Sequence, residues 1–120
     1  MISYEGRIFR KAGDSEGTVA RYHQDGDLVW ADFNGGKVRR GAVTGRCAPD
    51  GTLQLAYTMV LDTGEVIAGH TVNTPQRQPD GRLVLREEWQ RLGRHAAHGV
   101  SFLEEVPSVV PVAGRTGGRA

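Results

Sequence analysis

The sequence has little cysteine and little net charge, and each of these shortages excludes a class of protein. A single cysteine, Cys47, provides neither a disulfide framework nor a thiolate metal site, so we expect a small buried or strand-end residue there. The 120-residue chain has 15 basic and 14 acidic residues, a net charge of +1. Such a balance offers no basic stripe for phosphates, and nucleic acid is not predicted as a partner.

Long hydrophobic runs are absent as well. No stretch approaches the roughly 20 apolar residues of a membrane-spanning helix, so no membrane partner is predicted. The segment 1–7 lacks the basic start and the apolar run of a signal peptide, which predicts a cytoplasmic location. The four histidines have no zinc-binding spacing, and neither a metal nor another cofactor is predicted.

Glycine is plentiful, and many glycines occur in turn-forming pairs. These pairs are Asp25-Gly26, Asn34-Gly35, Asp50-Gly51, Thr63-Gly64 and Asp80-Gly81. Asn-Gly and Asp-Gly pairs supply the positive φ that tight hairpin turns require. Between the pairs, apolar and polar residues alternate, most clearly over 52–61 and 82–91. A period of two is typical of strands with one face in water.

We therefore predict eight principal strands, over about 3–10, 17–24, 27–34, 36–47, 52–61, 64–76, 81–92 and 98–106. Short connections pair each strand with its sequence neighbour as an antiparallel up-and-down meander. Because no helix is available to cover an apolar face, closure would remove both that face and the two sheet edges. The predicted fold is all-β, a meander closed into a small calycin-like barrel. An open, half-rolled sheet that dimerises to cover itself is the alternative.

The prediction divides the chain into one domain and a tail. Residues 1–106 are expected to form the barrel. Residues 107–120 contain two prolines, three glycines and no large aromatic side chain. A segment with so little to bury is expected to be a flexible C-terminal tail.

Strand 81–92 carries an unusual acidic residue. If Leu83, Leu85 and Trp89 point into the barrel, the alternation carries Glu87 inward too. A buried carboxylate is costly unless it is paired or protonated. Glu87 is therefore a candidate functional residue.

The predicted turns place His70 beside Glu87. A four-residue loop at 77–80 would pair His70 with Glu87, and a two-residue turn at 62–63 would put His70 opposite Leu55, on the inner face. A three-residue turn at 62–64 would move His70 to the other face. The candidate ligand site in the barrel interior is Tyr57, His70, Glu87 and Trp89.

Such a patch allows several functions. Histidine and glutamate in a partly dry cavity can stabilise each other, bind a polar ligand or perform acid–base chemistry. The leading prediction is a non-enzymatic module that binds a small molecule or serves in protein interaction. The alternatives are a small-molecule enzyme that uses Glu87 and His70, and a homodimer formed through an exposed sheet face or edge.

Several segments occur in an order that resembles a known group of proteins. They are Gly6–Arg10, Asn34-Gly35-Gly36 with Gly41 and Gly45, Asp50-Gly51-x-Leu53-x-x-x-Tyr57, Gly64-Glu65, Pro79–Leu83, Glu87-Glu88-Trp89-Gln90 and Gly99-x-Ser101-x-x-Glu104-Glu105. Over residues 4–105 the chain resembles the small bacterial proteins labelled "N-acetylglutamate synthase".

The resemblance implies transfer of an acetyl group from acetyl-CoA to glutamate. The segment Gln90–His95 is the nearest match to the pyrophosphate loop of common acetyltransferases, but it ends in histidine and follows a predicted strand. Relatives frequently carry a second tryptophan after Gln90, where this chain has Arg91. The resemblance thus makes acetyl transfer the alternative function.

Overall fold

In the computed structural model, which describes residues 2–107, eight antiparallel strands form a closed barrel. The strands are β1 (Ile8–Lys11), β2 (Val19–Asp25), β3 (Leu28–Gly35), β4 (Val38–Cys47), β5 (Leu53–Leu61), β6 (Val66–Arg77), β7 (Leu83–Arg91) and β8 (Ala97–Val106). Each strand pairs with the next along the chain, and β8 pairs with β1. The predicted all-β, calycin-like barrel is confirmed.

Closure of the barrel excludes the alternative fold. The open, half-rolled sheet is wrong, because β1 and β8 pair with each other instead of exposing two edges. The predicted tail lies outside the described residues from position 108 onward. Between β7 and β8 there is a short 3₁₀ turn, Gly93–His95. No helix in the part of the chain described here is long and apolar enough to cross a bilayer.

Three consecutive hairpins use the same three-residue turn. Its last residue is a glycine with positive φ, which is Gly51 (+91°), Gly64 (+88°) or Gly81 (+88°). The N–H of each glycine donates to the carbonyl oxygen three residues earlier. The residues before the glycines are Asp50, Thr63 and Asp80, and a side-chain oxygen of each accepts from the backbone N–H two residues later. These turns set the registers of β4 through β7.

One end of the barrel is filled by a hydrophobic core. Its members are Tyr4, Phe9, Tyr22, Val29, Ala31, Cys47, Leu53, Leu55, Leu83 and Leu85. Tyr4 precedes β1 and closes this end. Its ring is fully buried, and its hydroxyl donates to the Gly51 carbonyl oxygen at 2.6 Å. The rings of Phe9 and Tyr22 pack edge to face with centroids 5.4 Å apart.

The outer face retains several large apolar side chains. Trp30 on β3 and Phe102 on β8 are exposed there, at 38% and 43% of their surface. Trp30 stacks on His23 with ring centroids 5.6 Å apart. Neither ring contributes to the interior, where the remaining aromatic side chains are concentrated.

Candidate functional site

The other end of the barrel contains an open cavity of about 320 Å³. It is reached between the β1–β2, β3–β4, β5–β6 and β7–β8 connections, because its lining residues come from the strand ends that meet these connections. Its aromatic walls are formed by Phe9, Tyr22, Phe33, Tyr57 and Trp89. The size and the predominantly apolar lining are those of a small-ligand site.

The structure places three of the four predicted site residues on the cavity wall. These are Tyr57 on β5, with Glu87 and Trp89 on β7. The fourth, His70, is exposed on the outer face and pairs with Ala56 and Gln90. The prediction that His70 lies in the interior opposite Glu87 is wrong.

The error comes from the turns at both ends of β6. The β5–β6 turn has three residues, so His70 pairs with Ala56 rather than with Leu55 and faces outward. The β6–β7 turn also has three residues, and it places Asn73 opposite Glu87. An enzyme that uses Glu87 together with His70 is therefore not supported, because the barrel wall separates the two side chains.

Glycines let two of the aromatic rings lie flat against the wall. A methyl group at Gly99 would lie 2.7 Å from the Trp89 ring, and one at Gly69 would lie 2.6 Å from the Tyr57 hydroxyl oxygen. That hydroxyl donates to the Gln90 carbonyl oxygen at 3.4 Å. The guanidinium carbon of Arg91 lies 5.9 Å from the centre of the Trp89 ring, a cation–π distance. Rings, hydroxyl and cation are thus held in fixed positions around the opening.

Glu87 is the one acid among the described residues that line the cavity. Burial raises the pKa of Glu87 from its ordinary 4.5 to about 7, and the positive charge of Lys11 only partly opposes this. The neighbouring phenols respond to the same environment. Burial and the charge of Glu87 raise the pKa of Tyr22, and burial raises the pKa of Tyr57 although the positive charge of Arg91 opposes it, so both hydroxyls stay protonated.

Beneath the cavity, β6 contributes a buried polar pair. Asn73 is fully buried, and its Nδ2 donates to Thr71 Oγ1 at 2.8 Å. Asn73 Oδ1 is buried without a hydrogen-bond partner among the described residues. An unpaired buried acceptor is uncommon in folded proteins. The barrel interior beneath the cavity therefore has an unused hydrogen-bond acceptor on Asn73, which does not itself line the cavity.

Cations surround the opening. Lys11 at the end of β1 and Arg91 at the end of β7 both line the cavity. Arg10 also borders it, with Nε 3.7 Å from Glu104 Oε1. The cavity is thus polarised, with one acid within and basic groups at the mouth.

Several residues that line the cavity were not predicted from the sequence. Arg91 could have been found, because it lies two residues after Trp89 and the same alternation points it inward. Lys11 and Tyr22 could not, since their position relative to Glu87 depends on the closure between β1 and β8.

Comparison with protein families gives a match that covers the barrel. The family model described as avidin-like protein matches residues 2–106. The chain belongs to the avidin-like protein family. The match spans all eight strands of this avidin-like barrel, from the core-filled end to the open cavity. Comparison with curated proteins gives no significant match.

The avidin-like chain has no feature of an acetyl-CoA loop in its described residues. Gln90–His95 leaves β7 and enters the 3₁₀ turn, after which β8 begins at Ala97. A pyrophosphate site of that type needs the N-terminus of an α-helix. Residues 2–107 likewise contain no group of three or more His, Cys, Asp or Glu side chains that could hold a metal ion.

Proposed function

We propose that this avidin-like protein is a non-enzymatic binding protein whose open cavity holds one small organic molecule. The cavity of about 320 Å³, with five aromatic side chains around one acid, is the observation that carries this proposal. The family supports it, since avidin-like proteins bind small ligands such as biotin. No observation on the described residues favours a chemical reaction at this site.

The lining defines the kind of molecule that fits. Its body would be apolar or aromatic, because Phe33, Tyr57 and Trp89 line the cavity. Its outer end would be anionic or strongly polar, because Lys11 and Arg91 flank the mouth. Biotin, with a polar ring and a carboxylate tail, is the first compound to test.

Tryptophan fluorescence offers a direct binding assay. The chain has two tryptophans, and Trp30 is on the outer face while Trp89 lines the cavity. In a Trp30→Phe variant, Trp89 is the single indole, and a ligand in the cavity should shift or quench its emission. Native mass spectrometry of the same samples should show one ligand per chain.

A matched pair of substitutions tests whether binding occurs inside the barrel. Ala20 lines the cavity, whereas Ala56 is exposed on the outer face. Ala20→Leu should weaken binding by about tenfold or more by filling the site, and Ala56→Leu should leave affinity unchanged. Binding that survives Ala20→Leu unchanged would contradict the proposal. So would the absence of any adduct with biotin and a broad panel of small heterocyclic acids.

We further propose that two copies of the chain associate through an outer sheet face. Val100 and Phe102 are exposed on β8, at 50% and 43% of their surface. Avidin-like proteins often form oligomers. Pairing through free sheet edges is not available to the described residues, because the barrel is closed. Sedimentation velocity should show a dimer that Phe102→Ser weakens, and a monomer at high concentration would contradict this.

A further inference from the structure

We propose that Glu87 selects ligands that present an N–H donor, such as an amidine or a protonated amine, to the inner end of the cavity. This donor competes with a proton for the Glu87 carboxylate. This inference rests on the proposed binding function. It adds the chemical class of the ligand's inner end and a proton that is exchanged on binding.

Glu87 and Asn73 bring two hydrogen-bond acceptors to neighbouring positions in the barrel interior. Asn73 lies directly opposite Glu87 in the β6–β7 pairing, and both are on the inner face. Opposite residues on one face of an antiparallel pair have Cβ atoms about 5 Å apart. The Asn73 Nδ2 group donates to Thr71, and Asn73 Oδ1 has no hydrogen-bond partner among the described residues. Two neighbouring acceptors require a donor.

A proton can provide that donor when the cavity is empty. A protonated Glu87 can donate to Asn73 Oδ1, which satisfies the buried acceptor and avoids an unpaired charge. An N–H group of a ligand can take the proton's place and leave Glu87 as a carboxylate. A carbonyl or carboxylate group of a ligand at the same position would be a third hydrogen-bond acceptor without a donor to bind.

The surroundings keep both protonation states accessible. The charged or titratable side chains that line the cavity together with Glu87 are Lys11 and Arg10 from β1, Tyr22 from β2, Tyr57 from β5 and Arg91 from β7. The neighbouring strands β6 and β8 contribute the hydroxyls of Thr71 and Ser101. None of these groups forms a hydrogen bond with Glu87 that lowers its pKa, which stays at about 7 because of burial.

The aromatic walls add to the preference for a cationic donor. An amidinium group can donate two parallel hydrogen bonds to a carboxylate, the strongest geometry available to such a pair. The faces of Tyr57 and Trp89 also attract cations. The inner end of the cavity is thus suited to a planar hydrogen-bond donor, while the basic mouth is suited to an anionic group.

Two probes with the same ring separate these effects. Toluene tests whether the cavity accepts an aromatic ring, and benzamidine adds an amidinium group to that ring. Both are titrated into the full chain, into Glu87→Gln, and into Glu88→Gln as the control. Glu88 is the adjacent residue and is exposed on the outer face, where it pairs with Arg86.

We expect benzamidine to bind the full chain about tenfold more tightly at pH 8 than at pH 6, because the ionised fraction of a group with a pKa of about 7 rises by that factor. Calorimetry at pH 6 in two buffers of different ionisation enthalpy should show release of nearly one proton per benzamidine. Glu88→Gln should behave identically. Glu87→Gln should lose both effects, while toluene should bind all three proteins equally at both pH values.

The possible failures are distinguishable. If toluene binds but benzamidine binds Glu87→Gln as tightly as the full chain, or without proton release, the role of Glu87 is overturned and the binding function remains. If neither probe binds the full chain, both the role of Glu87 and an aromatic-binding cavity are overturned.

Discussion

Two acidic side chains face the interior of this barrel, and they differ in how they are satisfied. Glu105 on β8 forms an ion pair with Arg7 at 2.7 Å and accepts from the Leu83 backbone N–H at 3.0 Å. Glu87 on β7 has no comparable partner among residues 2–107, and its pKa is raised by burial. A paired inward carboxylate stabilises the fold, whereas an unpaired one is typical of sites that bind or react.

Replacing Glu87 by glutamine should change how stability depends on pH. The pKa of Glu87 is about 7 in the folded chain and close to 4.5 when it is exposed, so the folded state holds the proton more tightly. The contribution of Glu87 to the free energy of unfolding should therefore be fully present below pH 4.5 and should fall by about 3 kcal/mol as the pH rises through 7. Urea denaturation of Glu87→Gln should lack this fall.

The Glu88→Gln variant provides the reference for that measurement. It removes an acid from the outer face of the same strand, where solvent screens the charge. Its unfolding free energy should follow the pH dependence of the unmodified chain. If Glu87→Gln and Glu88→Gln gave the same slope between pH 5 and 8, the buried position of Glu87 would not be the cause.

At the scale of elements, the strands were predictable because alternation and turn residues are local signals. Each of the eight predicted strands overlaps an observed one, although β1 has only four residues. Tyr57, Glu87 and Trp89 were identified by alternation within single strands. His70 required two cross-strand registers as well, and both depended on the number of residues in a turn. One extra residue in the β5–β6 turn was enough to move it outside.

The shared turn predicts a specific pattern of substitution costs. Gly64 has φ of +88°, and a methyl group built on it meets no atom within 4 Å, so only the backbone conformation resists a side chain. Gly64→Ala should lower the unfolding free energy by about 1 kcal/mol. Gly64→Asn should cost less, because asparagine tolerates positive φ. Thermal denaturation of both variants would test this, and equal losses would contradict the conformational explanation.

At the scale of the whole molecule, stability and binding are located at opposite ends. The core-filled end contains Tyr4 and the buried leucines, the cavity occupies the end with the β7–β8 connection, and Phe9 and Tyr22 contact both. Residues that line only the opening can therefore be substituted without disrupting the core-filled end. This separation could not be inferred from the sequence, because alternation identifies inward residues but not the height at which they pack.

A pair of substitutions should separate the two ends. Tyr4→Ala removes a fully buried ring and its hydrogen bond to Gly51, so it should lower the unfolding free energy by about 3–5 kcal/mol without weakening ligand affinity in the folded protein. Trp89→Ala should weaken binding with a smaller loss of stability, since its ring is only partly buried. Chemical denaturation and titration of both variants provide the measurement, and reversed effects would contradict it.

The pairing of the first strand with the last has a consequence for biosynthesis. The Arg7–Glu105 ion pair joins residues 98 positions apart, at the seam where the sheet closes. During translation, hairpins of the meander can form as they leave the ribosome, but β1 has to wait for β8. Until then, the nascent sheet has an unpaired strand at each of its two edges. Arrested chains truncated before β8 should consequently recruit chaperones, while chains long enough to expose residue 106 should not.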